Sequence, residues 1–267
     1  MGTSLAFLCA AVLYLVATAS YLGFLARGGR RLERWGTCSL AASLLVHAGF
    51  VVTSALSSQG MLEGIRLALA WLSLLIPLAY LVSMRKHRLP VLGAIVTPLS
   101  LLLFLGAGLP GQAHHVPSQM RSLLLPVHIG VNVLGMAAFA LAFAAAIAYV
   151  LQEELLRRKR VGRLLHALPP LDVLDSLGLR LVTIGFTLFT VGVVTGSVWA
   201  TRLNTAGSLL SAGQGLAILA WLFFGSVLLA RAAAGWRGRR AAIGTVLGFL
   251  CSLAALGGYV LRDVGGS

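Results

Sequence analysis

Eight long segments without a single Asp, Glu, Lys or Arg dominate this sequence of 267 residues. They cover residues 1–26, 35–62, 67–84, 89–120, 122–152, 181–201, 203–230 and 241–261. An apolar segment of about 18 residues or more is long enough to cross a bilayer as a helix. Only 10% of the residues are charged, far below the roughly 25% of a soluble domain. The sequence therefore predicts an all-α fold: a polytopic membrane helix bundle of eight transmembrane helices in a single integral membrane domain, residues 1–267.

The limits of the predicted helices follow from the charges and prolines that flank each apolar segment. The helices are expected at residues 5–25, 36–56, 67–84, 91–109, 123–151, 181–200, 215–230 and 241–261. The fifth helix is expected to continue past the membrane with Glu153 and Glu154. Pro169 and Pro170 cannot continue a helix, so a short interfacial helix at residues 171–179 is expected before the sixth span.

The basic residues are concentrated on alternate loops between the predicted helices. The first, third, fifth and seventh loops hold 17 of the 21 Lys and Arg residues. The remaining four are Arg66, Arg121, Arg202 and Arg262. Cytoplasmic loops carry the excess of Lys and Arg, so this alternation predicts odd loops in the cytoplasm and both termini outside. The net charge of +14 is therefore assigned to topology and to the lipid bilayer, and no nucleic acid partner is expected.

No sequence motif favours an enzyme. The chain has no Walker motif, no nucleotide-binding glycine loop and no catalytic triad pattern. Cys9, Cys38 and Cys251 fall within predicted helices without Cys-x-x-Cys spacing, which argues against a dithiol redox site and a covalent c-type haem site. Residues 1–26 lack the basic start of a signal peptide, so we expect them to be retained as the first helix.

Two histidines and an asparagine lie at membrane depth, where polar groups are costly and often functional. His47 is about 13 Å from the outer end of its helix and His128 about 8 Å, at about 1.5 Å per residue. Neutral imidazole is a good axial ligand for haem iron, so the pair predicts a haem site in the outer half of the bundle. The alternative is that each histidine makes a separate interhelical hydrogen bond. Asn132, one turn after His128, is a candidate to orient the imidazole or to contact a propionate.

Arg202 is the only charged residue of the third external loop, residues 201–214. Such a guanidinium either pairs with a propionate or phosphate or is simply solvated. The candidate cofactor is haem b, held non-covalently. Its predicted site consists of His128 and His47 as iron ligands, with Asn132 and Arg202 beside them.

Four segments resemble the cytochrome c assembly protein family, the haem-handling membrane proteins of cytochrome c maturation. They read HIGVNVLGMAAFALAFAAAIAYVLQEELLRRKR, LPPLDVLDSLGLRLVTIGFTLFTVGVVTGSVWA, LAILAWLFFGSVLLAR and GWRGRRAAIGTVLGF. Their order and spacing fit the family across almost the whole chain, most closely its short branch. The resemblance implies a multi-pass protein of the bacterial cytoplasmic (inner) membrane that handles haem on the outer side, with His128 at the position of the family's first external histidine. It implies haem and other cytochrome c maturation or haem-pathway proteins as partners.

The chain departs from this family pattern in two places. The family has a tryptophan-rich haem platform between the sixth and seventh spans, whereas residues 201–214 contain no Trp. A second external histidine is expected after the eighth span, where this chain has Tyr259 and Arg262 but no His. We therefore expect haem to be held within the membrane, and we expect no haem-dependent binding of an apocytochrome.

Three hypotheses follow for the function. The first is a haem-binding accessory protein of cytochrome c assembly, which needs His128 or His47 to contact iron. The second is a haemless membrane protein that regulates or stabilises a haem-pathway protein or another membrane complex. The third is a small-molecule transporter, which lacks support because no acidic residue lies within the spans and no pair of broken helices is visible.

The charge pattern yields a topology prediction. Reporter fusions after Arg31, Lys86, Lys159 and Arg239 are expected to report cytoplasm, and those after Gln59, Gly111 and Thr205 to report the outside. An exchange of sides between two adjacent loops would contradict the eight-span arrangement.

Overall fold

The computed structural model describes residues 2–56, 64–84, 89–109, 124–159, 162, 165, 167–202 and 212–265. The helices are α1 (Gly2–Arg27), α2 (Arg30–Leu56), α3 (Gly64–Met84), α4 (Pro90–Ala107), α5 (Leu124–Arg157), α6 (Leu171–Arg202), α7 (Ala212–Ala233) and α8 (Arg239–Gly265). Eight helices in this part of the chain are long and apolar enough to cross a membrane, and no strand occurs in it. The predicted all-α bundle of eight spans is confirmed. The placement of both termini outside stays a prediction.

The ends of the helices follow local chemistry. The helix α1 ends at Arg27 because Gly28 and Gly29 adopt φ values of 70° and 104°, which side-chain-bearing residues rarely adopt. The helix α5 continues to Arg157, as predicted, and its last turns carry an ion pair between Glu153 and Arg157 at 3.4 Å.

The prediction of a separate interfacial helix at residues 171–179 is wrong. Residues 171–179 are instead the first turns of α6, which runs without interruption from Leu171 to Arg202. The break at Pro169 and Pro170 is present, but no proline or positive-φ residue follows it to end the helix again. The charged residues near the start of α6, Asp172, Asp175 and Arg180, therefore lie on the part of the helix that precedes its apolar stretch, and they do not mark a helix end.

The chain forms two compact units. Unit 1 consists of Met1–Pro110 and Ala148–Leu174, and unit 2 consists of Gly111–Ile147 and Asp175–Ser267. The division falls within α5 and α6, so each of these helices contributes to both units. The prediction of a single domain over residues 1–267 stays a prediction.

The interior of unit 1 is built from aromatic side chains of α1 to α4. Its largest fully buried side chains include Tyr14 and Tyr21 of α1, Phe50 of α2 and Phe104 of α4. The rings of Tyr14 and Phe104 lie 5.7 Å apart, and those of Phe50 and Phe104 lie 5.8 Å apart. Such ring pairs add stabilisation of about 0.5–1.5 kcal/mol each beyond the area that they bury.

Unit 2 is organised around Phe139 of α5, which is fully buried. Its ring stacks on Phe224 of α7 at a centroid distance of 3.8 Å and meets Phe189 of α6 edge-on at 5.8 Å. A hydrogen bond from the indole nitrogen of Trp221 to the hydroxyl of Thr190, 2.8 Å long, joins α7 to α6. Phe139 therefore links α5 to both α6 and α7.

Near its start, α6 is tied to the segment that joins α7 and α8. The carboxylate of Asp175 accepts a hydrogen bond from Arg231 of α7 and another from the main-chain nitrogen of Gly238 at 3.2 Å. The side chains of Asp175 and Arg231 are both partly buried. An ion pair shielded in this way is stronger than an exposed one, so Asp175 helps to set the position of α6 within unit 2.

Within unit 2, α5 and α6 approach each other closely because glycines line the contact. A Cβ added at Gly135 of α5 would lie 3.2 Å from the carbonyl oxygen of Gly185 and 3.3 Å from the main-chain nitrogen of Phe189. A Cβ added at Gly185 of α6 would lie 2.7 Å from the ring of Phe139. Small residues at helix contacts let membrane helices pack backbone to backbone, and this contact brings the polar residues of α5 against α6.

This contact predicts that Gly185→Ala destabilises unit 2. A methyl group at this position would overlap the Phe139 ring, and overpacking of this kind costs about 1–3 kcal/mol. Gly178→Ala, in the same helix, is the matched control. A Cβ at Gly178 would have no atom of the described residues of other elements within 4 Å. We expect the thermal midpoint in detergent to fall for Gly185→Ala and to stay level or rise for Gly178→Ala. Equal midpoints for the two variants would contradict the close contact.

Candidate functional site

The first candidate residue, His128, lies in the second turn of α5 and is held against α6. Its Nδ1 atom lies 3.0 Å from the hydroxyl oxygen of Thr195 on α6, within hydrogen-bond distance. The side chain is partly buried, and its neighbour Val127 is 49% exposed. The imidazole is therefore anchored on one side while its surroundings remain partly open.

Two glycines of α6 provide the space for this arrangement. A Cβ added at Gly196 would lie 2.8 Å from Cε1 of His128, and a Cβ added at Gly192 would overlap the amide group of Asn132. His128 and Asn132 thus each lie against a glycine of α6. Any larger residue at either glycine would push the polar side chain out of the contact.

Asn132 lies directly beside His128, as the four-residue spacing predicts. Its amide nitrogen donates a hydrogen bond of 2.7 Å to the main-chain carbonyl of His128. The same nitrogen lies 3.3 Å from Nδ1 and 3.4 Å from Nε2 of the imidazole. Asn132 therefore packs along the ring of His128 and limits the orientations that the ring can adopt.

The second candidate residue, His47, belongs to α2 in unit 1 and is fully buried. Its Nδ1 atom lies 3.1 Å from the hydroxyl of Tyr14, which donates a hydrogen bond to the carbonyl of Ser73 at 3.2 Å. The Phe104 ring lies 4.2 Å from the imidazole ring. Among the described residues, Nε2 of His47 has no hydrogen-bond partner.

The structure confirms the interhelical hydrogen bonds that the sequence allowed as an alternative. His47 joins α2 to Tyr14 of α1, and His128 joins α5 to Thr195 of α6. These two interhelical bonds do not by themselves exclude iron binding, because each of them uses Nδ1 and haem iron takes a single imidazole nitrogen. His128 and His47 belong to different units, and their pairing on one iron stays a prediction.

Thr195, Gly192 and Gly196 were not predicted from the sequence as part of the site. The signal was present as the segment GVVTG, residues 192–196, in which two glycines four residues apart mark a helix-packing face. The position of Thr195 between them was harder to find, because a threonine in a helix usually bonds only its own backbone.

The remaining four histidines of the sequence lie outside the described part of the structure: His87, His114, His115 and His166. Residues 203–211 of the predicted third external loop lie outside it as well. Arg202 is the last residue of α6, and its side chain also lies outside that part. The predicted role of Arg202 therefore stays a prediction.

The fold and site define a polytopic membrane protein in which two helices of unit 2 present an anchored histidine. A family model described as Cytochrome C assembly protein matches residues 59–261. The chain therefore belongs to the cytochrome c assembly protein family.

Curated relatives match most of the chain. The cytochrome c biogenesis protein CcsA of Synechococcus sp. (strain CC9902) is 27% identical over 251 residues, which cover 84% of this chain and 82% of the relative. The protein of the same name from Prochlorococcus marinus (strain MIT 9301) is 25% identical over 252 residues, with 85% and 81% covered. No solved structure matches the chain at a significant level.

The contact between Tyr14 and His47 predicts energetic coupling within unit 1. Tyr14→Phe removes the hydroxyl, leaves Nδ1 of His47 buried without that partner and is expected to cost about 1–3 kcal/mol. Once His47→Leu has removed the imidazole, Tyr14→Phe is expected to cost much less. Unfolding free energies in detergent for the two single variants and the double variant measure this coupling. Additive effects would show that the hydrogen bond contributes nothing.

Proposed function

We propose that this protein acts in cytochrome c assembly by holding haem non-covalently, with His128 of α5 as an axial ligand. Membership of the cytochrome c assembly protein family supports the pathway. The names of the curated relatives, cytochrome c biogenesis protein CcsA, support the same pathway. The protein is proposed to lie in the bacterial cytoplasmic membrane, with haem as its substrate and other cytochrome c maturation or haem-pathway proteins as partners.

The surroundings of His128 fit an iron ligand. An axial histidine needs one nitrogen for iron and a partner for the other nitrogen, and His128 already has such a partner in Thr195 of α6. It is also partly exposed, so a haem ring can approach it. The anchored and partly exposed imidazole is the observation that carries the proposal.

The remaining candidates have subsidiary roles in this proposal. Asn132 limits the orientation of the His128 ring through its contacts along it. Arg202, at the end of α6, is proposed to pair with a haem propionate, because a guanidinium binds carboxylates in a planar, bidentate manner. His47 remains the weaker candidate for an axial ligand, because it is fully buried and in contact with Phe104.

Haem bound in this way supplies the iron porphyrin that cytochrome c assembly consumes. The chain has no Cys-x-x-Cys-His segment, so the proposed attachment is through coordination and contacts alone. Haem b is the species that fits such non-covalent binding.

The second candidate function is a haemless regulatory or stabilising protein of the haem pathway or of another membrane complex. Two observations favour it. Both histidines make interhelical hydrogen bonds that stabilise the bundle without haem. The external loop at residues 201–214 also lacks the tryptophans of the family platform.

Substitution of His128 distinguishes the two functions. In His128→Gln the amide can still hydrogen-bond to α6, but it cannot replace imidazole as an iron ligand. We expect the wild-type protein from haem-replete cells to show a Soret band. Removal of a residue that only hydrogen-bonds to a ligand typically lowers metal affinity about 10–100-fold. We expect His128→Gln to lower haem retention by more than that, because it removes the ligand itself. His87→Gln, which makes the same substitution at a histidine between the predicted third and fourth spans, is the matched control and is expected to leave the Soret band unchanged.

Two further measurements complete this test. Circular dichroism and size-exclusion profiles are expected to be the same for His128→Gln and the wild type, which would separate haem loss from unfolding. Added imidazole is expected to restore the Soret band in His128→Ala. A normal Soret band in His128→Gln would contradict the assignment of His128, and a wild-type protein without haem would favour the haemless function.

A further inference from the structure

We propose that Thr195 is a positioning residue that keeps the proton of His128 on Nδ1 and so reserves Nε2 as the coordinating nitrogen. The part of this inference that concerns iron rests on the proposed function. The part that concerns the proton is a property of the haem-free protein.

The first step concerns the hydroxyl proton of Thr195. Its Oγ1 atom lies 2.8 Å from the carbonyl oxygen of Val191 and 3.0 Å from that of Gly192. A carbonyl oxygen can only accept a hydrogen bond, and a hydroxyl group has one proton to donate. The proton of Thr195 is therefore directed to the backbone of its own helix.

The second step concerns the side of Oγ1 that faces α5. With its proton given to the backbone, Oγ1 can only accept from His128 Nδ1, which lies 3.0 Å away. The acceptor role of Thr195 requires a proton on Nδ1. In a neutral imidazole the other nitrogen, Nε2, then has the lone pair.

The third step concerns the other groups around the ring. The amide nitrogen of Asn132 lies 3.3 Å from Nδ1 and 3.4 Å from Nε2, so its position favours neither tautomer. Thr195 therefore supplies a contact that distinguishes the two ring nitrogens.

The consequence for binding follows from the general behaviour of histidine ligands. A hydrogen bond from the non-coordinating nitrogen fixes the tautomer and the ring orientation and raises the basicity of the ligand. Loss of such a partner typically costs about 10–100-fold in metal affinity. We expect Thr195 to affect haem retention and the iron potential without contacting haem itself.

The test compares three threonine variants of the full chain in detergent. Thr195→Val removes the acceptor, and Thr195→Ser restores a hydroxyl at the same position. Thr187→Val is the matched control, since Thr187 is an exposed residue of the same helix whose hydroxyl bonds the Thr183 carbonyl at 3.0 Å. Each Val variant loses a helix back-bond, but only Thr195→Val also loses the contact with His128.

The first readout uses the haem-free protein with ¹⁵N-labelled histidine. The imidazole resonances of His128 are assigned by their absence in His128→Gln. We expect Nδ1 to carry the proton in the wild type, in Thr195→Ser and in Thr187→Val, and a mixture of tautomers in Thr195→Val. A proton on Nε2 in the wild type, or identical spectra for wild type and Thr195→Val, would overturn the inference.

The second readout uses the haem-loaded protein. We expect Thr195→Val to retain about 10–100-fold less haem and to shift the midpoint potential of the iron, while Thr195→Ser returns both values to those of the wild type. Unchanged retention and potential in Thr195→Val would overturn the role of Thr195 while leaving His128 as a ligand. A wild type without haem would contradict the proposed function, and the ¹⁵N spectra would then decide the role of Thr195 alone.

Discussion

The close approach of α5 to α6 is the contact on which the candidate site depends. In a bilayer, apolar side chains gain little by leaving lipid for another helix, so association relies on close packing and hydrogen bonds. Gly135 and Gly185 allow the two backbones to meet, and Phe139 packs on the glycine face. The same contact, continued one and two turns further, brings Asn132 and His128 over the glycines of the 192–196 segment. A helix pair built for packing thus also positions an imidazole.

Polar groups inside each unit link neighbouring helices through hydrogen bonds. Polar and ionisable side chains are costly within a bilayer, and His47 and His128 are accordingly bonded to a neighbouring helix of the same unit. In His128 this bond leaves the ring partly exposed, whereas His47 is enclosed by aromatic side chains. This difference in exposure makes His128 the stronger candidate for binding a ligand.

The sequence was sufficient to predict the helices but not their contacts. Uncharged segments predict the eight spans because a charge within the hydrocarbon is strongly disfavoured. The same criterion predicted a helix end at residue 179, and that prediction was wrong. Asp175 and Arg180 are charged, but α6 continues through both of them. The pairing of His128 with Thr195 could not be predicted, because the two residues lie 67 positions apart and depend on how the helices pack. The contact between Asn132 and His128 could be predicted, because the two residues are four positions apart on one helix.

The most direct measurement of the central claim is the haem content of the wild-type protein. The protein is purified in detergent from haem-replete cells, and its haem is quantified as the pyridine haemochrome before and after extraction with acidified acetone. The proposed function predicts a stoichiometric haem b spectrum that the extraction removes completely, because no covalent attachment segment exists in the chain. A protein without haem, or a haem that resists extraction, would contradict it.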